Sequence, residues 1–278
     1  MSANETDRVR EVWERQAHAW YEQRESLLAD SRPIHDWLVD HLDLRPGQSI
    51  LEIGAGPGDT GFLAARRLAN GRLLSTDLAP AMVDTARKRG AELGVENVDY
   101  RVLDAQAMDL ADGSFDGIIC RWGFMLMPDP AAAFRECRRV LRPGGRLVFA
   151  VFTGPDDNPW ASIPARLVSA AGYLTPASSE WQPGILALGD RRRLESLVDR
   201  ASWASTQLDA VAMTWTFTDA TAYWRWLLDV TALGPLLSSL PDSARDDLRA
   251  AIDARLASFT SDGRIRLPAR CWCGLAIA

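Results

Sequence analysis

The sequence predicts an α/β fold: a doubly wound, mostly parallel seven-stranded sheet with helices on both faces, a helical amino-terminal extension, and a cap over the carboxyl ends of the strands. Three observations predict it. Between residues 49 and 152, short apolar runs alternate with amphipathic stretches of about 10–15 residues, the spacing of right-handed strand–helix–strand units. The first run ends in a glycine-rich loop that opens a helix, where such sheets receive ligands. The 278 residues, 47% hydrophobic and 24% charged, have ordinary globular composition. A chain of that length buries roughly three-quarters of its unfolded surface without help from disulfides or metal.

The elements follow in order. Residues 4–29 carry Val9, Trp13, Gln16, Ala17 and Trp20 at helical spacing among charges. A second helix runs about 33–43 with Ile34, Trp37, Leu38 and Leu42 on one side, and Pro46-Gly47 ends it. Residues 49–54 read as a buried strand, and the helix through 59–69 stops at Gly71. Strand 72–77, helix 80–93, strand 98–104 and strand 115–122 come next. Asp129 as cap and Pro130 in the first turn start a helix to Leu141, and a Leu-Arg-Pro-Gly turn at 141–144 feeds strand 145–152. Residues 154–189, rich in Pro, Gly and Ser, read as an irregular cap. Helix 190–201, strand 206–217, helices 218–230 and 241–258, and a closing strand 264–278 complete the chain. Pro268 places the last strand at an edge or bulge.

Composition excludes several partners. No apolar run approaches the ~20 residues of a membrane span. The charged, helical start is neither a signal peptide nor an anchor, so a cytoplasmic protein without membrane insertion is expected. A net charge of −6 argues against nucleic acid. Arg191-Arg192-Arg193, the tight basic cluster, reads as decoration of a solvated helix face. The four cysteines and three histidines have no zinc-like spacing, so buried reduced thiols and no metal are expected. Monomer and homodimer both remain open.

Residues 50–61, ILEIGAGPGDTG, contain two ligand-loop patterns. From Gly54 the loop reads acidic-x-Gly-x-Gly-x-Gly; from Gly56 it reads as the dinucleotide fingerprint G-x-G-x-x-G. The fingerprint's first glycine belongs directly after the strand, a place Gly54 holds, and the match from Gly56 begins two residues late with Pro57 inside it. Glu52 and Asp59 would oppose a pyrophosphate and favour a ligand with a cationic group, as the ammonium and sulfonium of S-adenosylmethionine provide. Asp77, ending the second strand, can accept from both hydroxyls of an adenosine ribose, as acids in nicotinamide sites also do. Asp104-Ala105, ending the third, offers an acceptor and an N–H to an adenine edge.

These stretches, with STDLAPAMVDTAR, RVLDAQAMDLADGSFDGIICRWG and PDPAAAFRECRRVLRPGGRLVF, resemble class I S-adenosylmethionine-dependent methyltransferases. The likeness is in particular to the ubiquinone/menaquinone C-methyltransferase-like (methyltransferase type 11) branch. It covers residues 48–152 strongly and the flanks in outline. It implies a Rossmann-like core over 44–153 that binds S-adenosyl-L-methionine and releases S-adenosyl-L-homocysteine. It also implies a helical segment over 1–43 closing on the site, a cap at 154–189, and the rest of the sheet over 190–278 with a helical lid at 218–258. By position, Glu52, Gly54, Ala55, Gly56 and Gly58 match the loop for the methionyl part, and Thr60 lies near its carboxylate. Asp77 matches the ribose acid, Leu78 and Met82 the adenine flanks, Asp104 and Ala105 the adenine edge, and Arg121 a residue facing the methionine moiety. Tyr21 matches an aromatic that closes over the cofactor. Many relatives carry histidines ahead of the Pro-Asp-Pro; Met125-Leu126-Met127 stands here, which removes that source of a base.

The expected activity is in-line methyl transfer to a small, largely apolar acceptor, aromatic molecules included, through C, O or N. A nicotinamide-dependent oxidoreductase and a non-catalytic cofactor-binding protein are the other readings. His18 and Tyr21 on the first helix are the candidate bases. Eleven tryptophans are unusual, and some of them are expected to line an acceptor pocket.

Overall fold

The computed structural model describes residues 3–174 and 181–278. The amino-terminal segment folds as α1 (Ala3–Glu22), α2 (Arg24–Asp30) and α3 (Arg32–His41). The single helix expected over 4–29 is interrupted at Gln23, whose φ of −90° and ψ of 0° leave helical geometry and turn the chain.

The alternating core follows with β1 (Ser49–Ile53), α4 (Asp59–Ala65), β2 (Arg72–Asp77), α5 (Pro80–Glu92), β3 (Val98–Val102), β4 (Phe115–Arg121), α6 (Pro130–Val140) and β5 (Leu141–Phe152). The Asp129 carboxylate accepts from Ala132 N–H and caps α6 as the sequence suggested. Next come α7 (Pro159–Ala170), α8 (Arg191–Asp199), β6 (Ser205–Phe217), α9 (Ala220–Val230), α10 (Gly234–Ser239), α11 (Asp242–Leu256), β7 (Thr260–Ser261) and β8 (Arg264–Ile277). Two readings change. The 154–189 cap is not irregular throughout, because α7 fills much of it; residues 175–180 of that segment lie outside the described residues. The sheet has eight strands, the added one being the two-residue β7.

Strand order is β3-β2-β1-β4-β5-β8-β6, with β7 on β8. The first five strands are parallel, and β8 runs antiparallel to both β5 and β6. The order reverses between β1 and β4, which opens a crevice at their carboxyl ends. Central strands are buried without interruption, as in Leu147 to Phe152, because helices cover both faces.

The outer strands have a second role. β5 ends at Phe152 opposite Cys271, whereas β6 continues from Val211, its own partner to Cys271, through Trp215 opposite Leu267 to Phe217 opposite Ile265. The β6–β8 pair therefore projects past the end of the parallel sheet. Its burial alternates there, with Met213, Trp215 and Phe217 buried on one face. Pro268 lies in this projection, where β5 no longer pairs with β8, so its missing N–H interrupts no ladder on that side. No helix among the described residues is long and apolar enough to cross a membrane.

Candidate functional site

A cavity of about 290 Å3 opens at the carboxyl ends of the parallel strands. One wall is the glycine loop, Gly54 to Gly56, with Asp77 and Leu78 after β2 and Leu103 to Gln106 after β3. Gly56 has φ +55°, and a Cβ placed there would meet no protein atom within 4 Å. Its glycine therefore answers a backbone demand and leaves the loop surface bare towards the cavity.

Asp77 is 8% exposed and joins two elements. Gly56 N–H donates to its Oδ2 at 2.9 Å, and Ala79 N–H donates to Oδ1 at 3.0 Å. Burial raises its pKa, and these N–H groups act against that rise. Each carboxylate oxygen keeps a further lone pair for a ligand hydroxyl. Asp104 is steadied by Gln106, whose backbone N–H and side-chain amide both donate to Oδ1 at 2.9 and 3.0 Å. Leu78, Met82 and Ala105 add apolar surface to the same wall.

Arg121 ends β4 at the floor of the cavity, its guanidinium carbon 4.3 Å from the Trp122 ring centre. A hydrogen-bonded chain fixes its other edge. Arg121 Nε donates to Thr60 Oγ1 at 3.1 Å, and Thr60 Oγ1 lies 3.0 Å from His35 Nδ1. His35 Nε2 is 3.0 Å from Ser31 Oγ, whose hydroxyl donates to Leu27 O. Because Ser31 spends its proton on that carbonyl, it accepts from His35 Nε2–H, leaving Nδ1 to accept from Thr60. The chain requires neutral His35, and burial followed by the charge of Arg121 lowers its pKa well below 6.5. Nη1 of Arg121 is buried with no partner.

That depressed pKa has a signed consequence. A group whose folded pKa lies below its unfolded value contributes stability that is complete above about 6.5 and lost as pH falls. Acidification from there toward about pH 5 is expected to lower Tm. His35→Asn, which can accept at the Nδ1 position without titrating, should flatten that part of the profile. An equally steep profile in the variant would remove His35 as the cause.

Glu52 does not reach the cavity. Gly61 N–H donates to Oε1 at 2.7 Å and the Ser75 hydroxyl to Oε2 at 3.0 Å, so both oxygens staple β1 to α4 and β2. A Cβ on Gly61 would lie 2.2 Å from Oε2, which shows how fully the carboxyl occupies its niche. Burial pushes its pKa up to about 8. Asp59 also turns away, to Arg89 at 3.5 Å. The expected selection of a cationic ligand by Glu52 and Asp59 is thus corrected: the Gly61 N–H and the Ser75 hydroxyl hold Glu52, and Asp59 lies in an ion pair with Arg89.

Glu52→Ala is expected to lower stability by ~3 kcal/mol, a Tm fall of ~6–10 °C, by stranding the Gly61 N–H beside a void. Glu52→Gln can reproduce both bonds and should remain within about 1 kcal/mol of the parent. Since the folded pKa is raised, the parent loses stability as pH rises from 4.5 to about 8. The Gln variant should lack that slope in thermal melts.

The opposite wall is apolar. Trp122 after β4, Phe152 ending β5, Trp160 on α7, Trp215 on β6 and Trp226 on α9 line it. Their rings form a continuous network: Trp122–Phe152 at 4.7 Å, Trp160–Trp215 at 5.7 Å and Trp215–Trp226 at 5.5 Å between centres. α1 closes a side with Val9, Val12, Trp13, Gln16 and Trp20. It is held there by Gln16 Nε2 donating to Thr231 O at 3.1 Å and Trp20 Nε1 donating to Val230 O at 3.3 Å. Among the described lining residues only Asp77, Asp104 and Arg121 carry ionisable side chains.

Of the residues singled out in the sequence, Gly54, Ala55, Gly56, Asp77, Leu78, Met82, Asp104, Ala105 and Arg121 share the cavity. Thr60 stands behind Arg121, and Gly58 opens α4 at φ +85° behind the loop. His18 is exposed on α1, outside the lining. Tyr21 donates its hydroxyl to Glu92 and is flanked by Arg24 and Lys88, each 4.1 Å from its ring centre. It ties α1 to α5 instead of covering a ligand. Both miss the cavity for one reason: they fall off the helical stripe of positions 9, 13, 16 and 20 that faces inward. His35 carried no local signal, because its partners lie at positions 31 and 60 of other turns.

The donor and acceptor set fits an adenosyl ligand with an amino-acid tail: two strand-end acids, a bare glycine loop and the Arg121 guanidinium. Comparison with known proteins agrees. Residues 51–149 match the family described as a methyltransferase domain. The ubiquinone/menaquinone biosynthesis C-methyltransferase UbiE of a Ruegeria species is 36% identical over 124 residues, 44% of this chain and 50% of that protein. The aklanonic acid methyltransferase DauC of a Streptomyces species is 30% identical over 179 residues, covering 61% and 76% respectively. The chain spans about half the length, or less, of several of the curated relatives it matches. In structure, the YcgJ protein of Bacillus subtilis superposes with a TM-score of 0.61 at 20% identity, over 88% of this chain and 97% of that one.

Proposed function

The chain belongs to the class I S-adenosylmethionine-dependent methyltransferases and shares their cofactor, and from that premise we propose that it methylates a small, largely apolar metabolite, aromatic molecules included. One observation carries the reading: the acid-and-glycine wall and the aromatic wall line a single cavity. Bound S-adenosylmethionine supplies an activated methyl group and leaves as S-adenosylhomocysteine. Asp77 would accept from the ribose hydroxyls, Asp104 with Ala105 would meet the adenine edge, and Leu78 and Met82 would flank the base. The Arg121 guanidinium, which lines the cavity at the end of β4, would meet the carboxylate.

The aromatic wall would hold the acceptor in line and keep water out. Positive charge disappears as the methyl group moves, so an apolar site favours the step. Alignment of the reacting atoms can supply ~7–11 kcal/mol. The cavity offers no histidine, lysine, tyrosine or cysteine among its described lining residues, and its two acids stand at the cofactor end. The acceptor therefore arrives nucleophilic by its own chemistry, without a protein base. His18 has no place in this scheme. The relatives named for quinone biosynthesis and for aklanonic acid support a small-molecule acceptor.

Labelled methyl transfer from S-adenosylmethionine into a panel of aromatic acceptors tests the activity, with calorimetry on S-adenosylhomocysteine and NADH beside it. Transfer and S-adenosylhomocysteine heat are expected. NADH uptake without S-adenosylhomocysteine binding would return the reading to an oxidoreductase, and binding without transfer to any acceptor would leave a non-catalytic protein.

A further inference from the structure

The hydrogen-bonded chain behind the cavity begins and ends on it: Leu27 on α2 and Arg121 at the end of β4 both belong to the lining. Between them, Ser31, His35 and Thr60 are 0%, 1% and 2% exposed, so water replaces none of the links. The direction of the chain is set at the Leu27 end. Ser31 Oγ gives its proton to the Leu27 carbonyl and can only accept from His35 Nε2–H. The proton-free Nδ1 takes the Thr60 hydroxyl proton, which leaves a Thr60 lone pair for Arg121 Nε–H. The other tautomer of His35 would set the Nε2 lone pair against a Ser31 oxygen whose proton is already spent.

Arg121 depends on such a guide. Its Nη1 is sealed inside the protein without a partner and its Nε is spent on Thr60, so Nη2 is the nitrogen left to a ligand. The charges of Asp59 and Glu52 attract the guanidinium. Asp59, however, lies in an ion pair with Arg89, and Glu52 is held by Gly61 and Ser75. The Trp122 ring, 4.3 Å away, supports the guanidinium carbon. Attraction to a ring is not directional about that contact, and it leaves the guanidinium free to turn. The Thr60 bond is the one that fixes the turn.

We propose that His35, acting through Thr60, is a positioning residue for the amino-acid tail of the cofactor: it keeps Thr60 Oγ1 an acceptor for Arg121 Nε and so directs Nη2 towards the carboxylate. The role rests on the assignment of Arg121 to that carboxylate. A guanidinium recognises a carboxylate by the direction of its N–H bonds, so a small rotation costs affinity for the tail. The adenosyl part meets Asp77 and Asp104 on another wall and does not depend on the chain. Helices α2 and α3 thereby act on ligand recognition through a residue that touches no ligand.

Calorimetry on the full chain with S-adenosylhomocysteine and with adenosine, which has no tail, tests this role. Thr60→Val and His35→Leu are each expected to lose about fivefold in S-adenosylhomocysteine affinity, the scale of one hydrogen bond of ~1 kcal/mol, with adenosine affinity unchanged. Thr60→Ser restores the hydroxyl and His35→Asn the acceptor at the Nδ1 position, and both should recover the loss. In an Arg121→Met background Thr60→Val should cost nothing further, as a route through Arg121 demands. Equal losses for the two ligands would reduce the chain to a structural brace. A loss that persists in Arg121→Met would mean that Thr60 meets the ligand itself. Either result overturns the inference, as does no loss at all. Nitrogen-15 NMR of the wild-type protein at neutral pH needs no variant to fold: His35 should be protonated at Nε2 alone, and an Nδ1–H tautomer also overturns the inference. Absence of S-adenosylhomocysteine binding to the wild-type protein would count against the methyltransferase reading instead, while the tautomer would still decide the direction of the chain.

Discussion

Asp77→Ala is expected to weaken S-adenosylhomocysteine binding by a hundredfold or more while the protein remains folded. Two hydroxyl hydrogen bonds to an ionised acceptor are lost, each worth ~1.5–3 kcal/mol. The same carboxylate also takes the Gly56 and Ala79 N–H groups, so the glycine loop loses its tie to the start of α5. Both losses act on the cofactor end of the cavity. Asp77→Asn separates them. It retains one acceptor oxygen, but its amide would present N–H to a backbone N–H, so an intermediate loss of ~10-fold is expected. Calorimetry on both variants, with Tm as a control for folding, checks the claim. Undiminished affinity in Asp77→Ala would mean that the acid only braces the loop.

Arg121→Met should weaken S-adenosylhomocysteine binding by ~10–100-fold, the scale of one charge-assisted hydrogen bond of ~1.5–3 kcal/mol. Stability should change far less. The parent buries Nη1 without a partner, and burial lowers the pKa of the guanidinium while Asp59 and Glu52 hold it up. Removing such a cation relieves a desolvation cost, and Asp59 keeps Arg89 as its neighbour. Arg121→Lys retains charge but not the planar fork that reaches Thr60 and the ligand at once, and should fall between the two. Adenosine, which lacks the carboxylate, gives the sharper readout: its affinity should be the same in parent and variant. Equal losses for adenosine and S-adenosylhomocysteine would show that Arg121 shapes the cavity without meeting the carboxylate.

These two residues were visible in the sequence because each ends a strand in a repeating pattern. Once β2 and β4 were read from their apolar runs, Asp77 and Arg121 had to emerge at the carboxyl edge of the sheet. Glu52 was also correctly placed on its strand, yet its side chain goes to Gly61 and Ser75, and no local pattern contains that choice. Position along a strand tells where a residue is; competing partners decide where its polar atoms go. His18 and Tyr21 show the helical version of the same limit. Their distance along α1 was right, and a rotation of about 100° per residue carried them off the inward stripe.

The tertiary structure also supplied what no window of sequence holds. The chain from Arg121 through Thr60 and His35 to Ser31 joins a strand end, a helix start and an amino-terminal helix. The tryptophan wall draws on four elements between positions 122 and 226. The sequence by itself determined the alternation of strands and helices, the glycine loop and the acids at successive strand ends, because periodicity and turn chemistry act over a few residues. Packing alone decided which carboxyls face the cavity, which donors go unpaired and how far β6 and β8 outrun the sheet. Those outcomes depend on competition among groups that are distant along the chain and meet only once it is folded.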